Sequence, residues 1–326
     1  MKYLLVVLFF FLISSTYSYQ NLINKRIDSH WVKVIKVILG GKYKIVSSLS
    51  EKWDRLINLM NKVYWVSAIN WAYFCPADYS NCWWKNYSNA PRFYNWKNYS
   101  KYWNDFGINW VFAFDKKDKP FIVMNYLWWD APENLKKQIN SDKIKDIYRW
   151  IWNFPVLLLH WNDIVSLYET QLSRKMKLSW PKSFICSTKD DKTIYMWYVS
   201  NITIYNMPIF LKKNFWCYNA LNLDSGGSLG MIYNWKVIKK HWRDIMDAFV
   251  VVDIEKENKV KQILFKNKKL LDRVVNKIKK FYWNNIYVIK ALVSKIEYLK
   301  NKYSNNLKIF VLLNELQIRL ENLFNL

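Results

Sequence analysis

Glycine is the residue this sequence is short of. At the average usage of about 7 %, a chain of this length would carry roughly 23 glycines, and this one has 6 against 20 tryptophans. Six glycines are too few to supply the left-handed turns and helix ends of so long a chain. Histidine is scarcer still: the 3 residues are His30, His160 and His241. None stands at ligand spacing to a cysteine and there is no C-x-x-C pair, which argues against zinc. Acidic residues number 25 against 50 lysines and arginines, a formal net charge of +25. Such a balance attracts phosphate-bearing glycans, lipid head groups or nucleic acid, although drift in an AT-rich genome would enrich lysine in the same way. Long apolar runs are missing after the first residues. In residues 1–18, MKYLLVVLFFFLISSTYS, the run from Tyr3 to about Ile13 is too short to span a bilayer and reads as a secretory signal, with Thr16 and Ser18 near its cleavage site. An uncleaved anchor is the competing reading. Export makes nucleic acid an unsuitable working ligand.

The 4 cysteines, Cys75, Cys82, Cys186 and Cys217, fit an oxidising compartment and permit three pairings. Cys75 with Cys82 would close a short polar loop. Cys186 with Cys217 would tie one strand to the chain entering another, and this pair of bridges is the favoured arrangement.

The tryptophans stand where glycine chemistry is wanted. Asn-Trp occurs at Asn70-Trp71, Asn95-Trp96, Asn109-Trp110 and Asn234-Trp235, whereas Asn-Gly is the pair that two-residue hairpins favour, because both turn positions need φ > 0. Trp83-Trp84 and Trp128-Trp129 likewise occupy places natural for Gly-Gly loops. The expectation is a lineage that reads UGA as glycine, with most of the tryptophans a translation-table artefact. The competing reading is a tryptophan-rich carbohydrate binder whose indoles stack on sugar rings.

The most informative stretch is Ala220-Leu221-Asn222-Leu223-Asp224-Ser225-Gly226-Gly227-Ser228. A short buried strand ends by delivering a carboxylate, hydroxyls and two glycines into a turn. Glycines there let amide N–H groups face an anion, while an ordinary turn capped by Asp and Ser is the bland alternative. Upstream, Val111–Phe114 and Phe121–Met124 flank a hairpin turn, and a helix is expected near 131–147, opened by Asp130 and Pro132. Ser183–Cys186 and Thr193–Met196 read as paired strands, Met207–Lys213 as a helix, and Met231–Tyr233 with Lys236–Ile238 as a hairpin. A further helical stretch is expected around Leu56 to Val63. Residues 75–110 read as a long functional loop with short strands rather than core. From residue 255 onward aliphatics recur at helical spacing, among them Ile263, Leu271, Ile278, Ile296 and Leu320, which predicts two or three amphipathic helices. These are either an accessory domain with a solvated lysine face or an attachment to an anionic envelope surface or partner helix. The fold class is α+β, mixed sheets with hairpins and a few packed helices, followed by an all-helical C-terminal extension. The expected divisions are 1–18 as signal, 19–254 as the main domain and 255–326 as the extension.

Three blocks together resemble the phosphodiester glycosidase family. One is the Asn222–Ser228 segment followed by a hairpin and Arg243-Asp244. The second is Ala68-Ile69-Asn70-Trp71-Ala72-Tyr73-Phe74-Cys75-Pro76, where the family has glycine at the position of Trp71. The third is Asn153-Phe154-Pro155-Val156-Leu157-Leu158-Leu159. They fall in the family's order, and the resemblance covers roughly residues 31–253. It implies an exported hydrolase cleaving a sugar-1-phosphodiester in a glycan. A phosphate monoester is a good leaving group, because its second pKa is about 6, so such a site needs cations and amides more than a strong acid. The expected catalytic residues are Asp224, to orient the sugar, activate water or bind a divalent cation, with Asn70 and Arg243. Tyr73, Lys182, Asn222, Ser225, Gly226, Gly227, Ser228 and Asp244 are expected to bind substrate. Lys182 stands where the family has arginine, just before the Ser183 strand, and loses the two-pronged grip on phosphate. A second carboxylate would come from Asp78, Asp244 or Asp247, which the sequence does not rank. The alternative is a non-catalytic polysaccharide-binding envelope protein with a degraded site.

Overall fold

The structure is a computed structural model that describes residues 20–61, 66–70, 74–75, 87–88, 93–94, 97–98, 110–124, 149–234, 236–242, 244–282, 285–303 and 306–324. The expected signal segment and the helix expected near 131–147 lie outside them. The chain divides into two compact units at Asp253 and Ile254.

The first unit is built on a seven-stranded antiparallel sheet. Its strands are β1 (Gln20–Ile27), β2 (His30–Ile38), β8 (Val156–Leu159), β9 (Asn162–Asp163), β10 (Trp180–Thr188), β11 (Thr193–Ile202) and β12 (Cys217–Leu223), in the order β1-β2-β11-β10-β12-β8-β9. β12 lies between β10 and β8, and all but one of its residues are buried. Its run Ala220-Leu221-Asn222-Leu223 does not alternate because both faces of the strand are covered. The two expected hairpin strands are β10 and β11, in register from Lys182 opposite Val199 to Ser187 opposite Ile194. Helix α2 (Met207–Phe215) opens with Pro208 in its first turn and ends at Trp216, a left-handed cap whose N–H donates to Lys212 O at 3.3 Å. It packs Met207, Phe210, Leu211 and Phe215 into the main core.

A second sheet has the order β14-β13-β4-β15-β3, with β3 (Tyr43–Asp54), β4 (Ser67–Asn70), β13 (Met231–Tyr233), β14 (Lys236–Lys239) and β15 (Ile245–Asp253). Here the period of two is clear. Ala248, Val250 and Val252 pack with Leu56, Leu59 and Met60 around helix α1 (Leu56–Asn61), while Phe249 and Val251 face the main core. A third sheet joins β5 (Trp110–Phe114), β6 (Pro120–Met124) and β7 (Arg149–Asn153) in the order β6-β5-β7. Buried Arg149 anchors it: one guanidinium nitrogen donates to Ile45 O at 2.6 Å and another pairs with Asp118. Two short pairs, Phe74–Cys75 with Tyr87–Ser88 and Phe93–Tyr94 with Lys97–Asn98, fall at the start of and within the segment expected to be a loop with short strands.

The second unit is helical: α3 (Ile254–Tyr282), α4 (Ile286–Lys302) and α5 (Leu307–Phe324). Val260, Leu271, Ile289, Ile296, Val311 and Leu320 are buried. Lys300 is buried too, and its amine donates to Gln317 at 3.0 Å and Glu297 at 3.3 Å. Among the described residues no helix is long and apolar enough to cross a membrane. The architecture is α+β, as expected from the sequence.

Cys186 and Cys217 form a disulfide across 31 residues, with Cα atoms 5.7 Å apart, joining β10 to the first residue of β12. The other expected bridge, Cys75 with Cys82, involves Cys82, which lies outside the described residues. Replacing Cys186 and Cys217 together by serine is expected to lower the unfolding free energy by about 2 to 4 kcal/mol, measured as a lower denaturant midpoint.

Candidate functional site

Asp224 leaves the end of β12, an almost wholly buried strand of the main sheet, and the loop 224–230 carries the chain to β13 in the second sheet. Both ends of that loop are tied. At its start, the Ser183 hydroxyl donates to the Asp224 carbonyl, the Ser183 amide donates to Ser225 Oγ at 3.2 Å, and the Ser225 amide donates to Asp224 Oδ1 at 2.8 Å. At its end, the Gly230 amide donates to Asn70 Oδ1 at 2.8 Å and the Asn70 amide returns to Gly230 O at 3.4 Å. The loop thus brings Asn70 and the Asp224 segment, 154 positions apart in sequence, onto one short connection between the sheets. Asn70 is buried, and its Nδ2 has no acceptor among the described residues. A buried donor held by its other amide atom is suited to a hydroxyl supplied from outside.

Within the loop, Gly226 has φ +72, a left-handed conformation that disfavours any side chain although a Cβ would meet nothing within 4 Å. Gly226, Gly227 and Ser228 form a single 3-10 turn, with Leu229 N donating to Gly226 O at 3.3 Å. The Gly226 and Gly227 amides open that turn and have no acceptor among the described residues, as the first N–H groups of a helical turn do. Gly227 O accepts from Trp242 N at 2.8 Å. Gly230, which sequence reasoning missed, is glycine for want of space: a Cβ would sit 3.1 Å from His241 Cδ2 and 3.2 Å from Leu56 Cδ2.

Asn222 shows what the Pro155 block does. Its amide donates to Pro155 O at 3.0 Å and its side-chain Nδ2 to Phe154 O at 3.1 Å, across a cis Phe154–Pro155 peptide. Asn153 Oδ1 accepts from Phe154 N at 2.9 Å, closing the same corner. Asn222 is therefore occupied with the backbone of β8's entry.

Lys182 departs from the sequence expectation. It lies inside β10, which begins at Trp180, rather than just before the strand. Pro181 lacks an amide for the ladder, and the register shifts between Trp180 and Lys182, so the strand runs through the proline at a bulge. Lys182 is 4 % exposed. Its Nζ donates to Leu178 O at 3.1 Å, and among the described residues no carboxylate pairs with it. Burial pulls its pKa from 10.5 down to about 8. Phe184 stands directly opposite Asn222, so the period of two puts Lys182 and Asn222 on one face of the sheet, with Ser183 on the other. Ser183 carried no signal in the sequence; only the pairing of Ser183 with Leu223 reveals it.

Of the remaining expected residues, Ser228 is buried in the turn, and Ser225 stands just before it with its hydroxyl donating to Leu223 O at 3.3 Å. Asp244 is exposed and Asp247 is buried in β15. Tyr73, Asp78 and Arg243 lie outside the described residues. No group of three or more His, Cys, Asp or Glu side chains suited to a metal ion occurs among the described residues.

A family profile described as phosphodiester glycosidase matches residues 77–252. Among curated proteins, none matches the chain. Solved structures that resemble it include a hypothetical protein from Synechocystis, 10 % identical with a TM-score of 0.48, covering 71 % of this chain and 61 % of that one. The catalytic domain of zebrafish N-acetylglucosamine-1-phosphodiester alpha-N-acetylglucosaminidase, auto-inhibited by its pro-peptide, is 13 % identical with a TM-score of 0.47, covering 74 % of this chain and 85 % of that one. A putative exported protein from Burkholderia pseudomallei is 9 % identical with a TM-score of 0.38, covering 68 % and 74 %. The chain thus spans 61 % of the length of the Synechocystis protein.

A test of the Lys182 environment follows from the sign of its shift. Between about pH 8 and 10.5 the unfolded chain holds a proton that folded Lys182 has lost, so this group makes stability rise with pH across that window. Lys182→Met is expected to remove that rise, seen as a difference between the two proteins' urea midpoints that changes across the window. A difference independent of pH would place the amine in water.

Proposed function

The chain belongs to the phosphodiester glycosidase family, and from that membership we propose that it is an exported hydrolase releasing a sugar from a sugar-1-phosphodiester in an envelope or extracellular glycan. The observation that carries this reading is Lys182, a buried ammonium bonded to one carbonyl, one residue before the serine that holds Asp224. A buried cation without a counter-ion is costly. A phosphate on the substrate would supply the missing charge and return the lysine towards its ordinary pKa.

The division of labour follows from chemistry. Lys182, Arg243 and the Gly226 and Gly227 amides would take the phosphate oxygens. Asn70 Nδ2 would hold a sugar hydroxyl. Water adds to the anomeric carbon as the bond from that carbon to the phosphate oxygen breaks. The water's proton passes to the Asp224 carboxylate, and the electron pair of the broken bond leaves on the phosphate as a monoester. The Asp224 carboxylate also offsets positive charge developing on the sugar ring. A divalent cation at Asp224 belongs to the same reading, and residues 1–18 would direct export.

The tryptophans bear on whether the crevice has room. We propose that most of them are glycine in the native polypeptide, read from UGA. Two described positions support this. Trp161 has φ +73 in the two-residue turn between β8 and β9, and Trp216 has φ +55 as the left-handed cap of α2. The first is the position of glycine in an Asn-Gly turn and the second is the commonest place for glycine at a helix end. Trp216 is 71 % exposed, so its indole gains little packing in return.

Three outcomes are expected. Asp224→Asn in the native protein lowers release of sugar from a sugar-1-phosphodiester by about 10²- to 10⁴-fold, with binding retained; unchanged turnover would remove Asp224 from the reaction, and binding without turnover in the wild type would select a non-catalytic glycan binder. Trp216→Gly raises the stability of the tryptophan-containing chain by about 1 to 2 kcal/mol, and peptide masses of native material show glycine at 161 and 216. Tryptophan at both positions in native material would end the recoding proposal.

A further inference from the structure

Gln20 opens β1, an edge strand of the seven-stranded sheet. Its carboxamide crosses to the second sheet, where Oε1 accepts from Ser67 Oγ at 2.9 Å and Nε2 donates to Asn234 Oδ1 at 2.9 Å. The Asn234 amide donates to Ser67 Oγ at 3.4 Å, which closes a ring of three residues, and Tyr233 OH donates to Gln20 O at 3.5 Å. Ser67 points this way because of the period of two: it shares a face of β4 with Ile69, which packs in the main core. Ser67 is fully buried. A buried hydroxyl needs an acceptor, and Gln20 supplies it.

Ser67 and Asn234 stand at the near ends of two paired strands whose far ends frame the candidate site. β4 runs from Ser67 to Asn70, and β13 lies antiparallel to it, from Met231 opposite Ile69 to Tyr233 opposite Ser67. At the far end Asn70 and Gly230 hold each other; at the near end Gln20 holds both strands. The distance between the two ends is about 10 Å, at roughly 3.3 Å per residue, so what is fixed at one end is carried to the other. Lys33 of β2 adds a second tie, its Nζ donating to Ile238 O on β14 at 3.1 Å. Asp224 follows a strand of the main sheet and Asn70 belongs to the second sheet, and the glycine-bearing loop between them is too pliant to set their separation. That separation is left to the contacts between the sheets, among which the Gln20 ring acts on β4 and β13 together.

We propose that Gln20 is a positioning residue for the Asn70–Gly230 junction: from the edge of the main sheet it fixes β4 and the β13–β14 hairpin, and so sets where Asn70 stands relative to Asp224. The consequence for turnover rests on the phosphodiester glycosidase reading, whereas the tie itself does not. Lys182 and the loop amides would still take the phosphate in a protein without Gln20, so binding survives. What is lost is the alignment of the sugar with the Asp224 carboxylate, and misalignment of that kind lowers kcat rather than raising KM.

The test combines site-resolved amide hydrogen exchange with the kinetics of sugar release, both on the native full chain. Gln20→Ala is expected to speed exchange at the backbone amides of Asn70 and Gly230 about tenfold, while Ile185 and Leu221 in the main sheet change by less than about twofold. The same variant is expected to lower kcat on a soluble sugar-1-phosphodiester about tenfold, with KM within about threefold of wild type. Gln20→Glu keeps an oxygen for Ser67 and, with the Asn234 carboxamide turned over, a partner for Asn234; it is expected to restore both readouts. Ser67→Ala is expected to reproduce the effects of Gln20→Ala, and the double variant to add nothing to either. Unchanged exchange at Asn70 and Gly230, faster exchange everywhere alike, an unchanged kcat in an active enzyme, or additive effects of the two alanine variants would each overturn the proposal. A wild type that releases no sugar, with the selective exchange change still present in Gln20→Ala, would end the hydrolase reading and leave the tie standing.

Discussion

The hold of Ser183 on the end of β12 is the constraint on which the site depends. A carboxylate at a strand end is mobile unless the backbone that bears it is fixed. Here the backbone is fixed from the neighbouring strand by two bonds that the ladder itself does not provide, the Ser183 hydroxyl to Asp224 O and the Ser183 amide to Ser225 Oγ. The disulfide at the other end of β12 joins the same two strands. Asn222 clamps the opposite neighbour through Phe154 and Pro155. The strand is therefore secured on both sides within two residues of the carboxylate, and the glycines that follow can bend without moving it. Precision comes from the sheet, and the loop only has to turn.

Much of this was legible because periodicity and local turn chemistry are local properties. The β10–β11 hairpin, the β13–β14 hairpin, helix α2 and the three C-terminal helices each announce themselves over short windows. The Asp224 turn did so as well, since carboxylate, hydroxyl and glycine are adjacent in sequence. What depended on pairing partners did not show. Nothing near Ser183 marks it as the partner of Asp224, and Gly230 looks like a spare glycine until His241 and Leu56 close around it. Lys182 misled for a physical reason. A proline ordinarily marks the edge of a strand, so the strand seemed to start at Ser183; the bulge at Trp180 lets the strand continue through Pro181 and takes the lysine into the interior.

Backbone conformation sorts the tryptophans more finely than composition can. Trp161 and Trp216 sit at positive φ, where a side chain opposes the backbone. Trp31 and Trp180 lie in extended strands, paired with Arg26 and Ile202, and a glycine there would weaken the sheet. Both are more than half exposed, so the indoles contribute little to the core either. The case for glycine therefore rests on turns and caps, where a left-handed residue has a defined job, and carries less weight on the strands. Asn234, at φ +44 in the β13–β14 turn, belongs with the first group, because the residue after such an Asn is the one that favours glycine most strongly.

The net charge of +25 has two different physical meanings in the two units. Lys182 is buried with no carboxylate paired to it among the described residues, and its charge is felt over a few ångströms through a medium that screens poorly. Apart from the buried Lys300, the lysines of α3 and α4 stand in water, where salt screens each of them within about 10 Å. No single one can fix a ligand. An exposed basic face with polar neighbours would be explained by solubility alone.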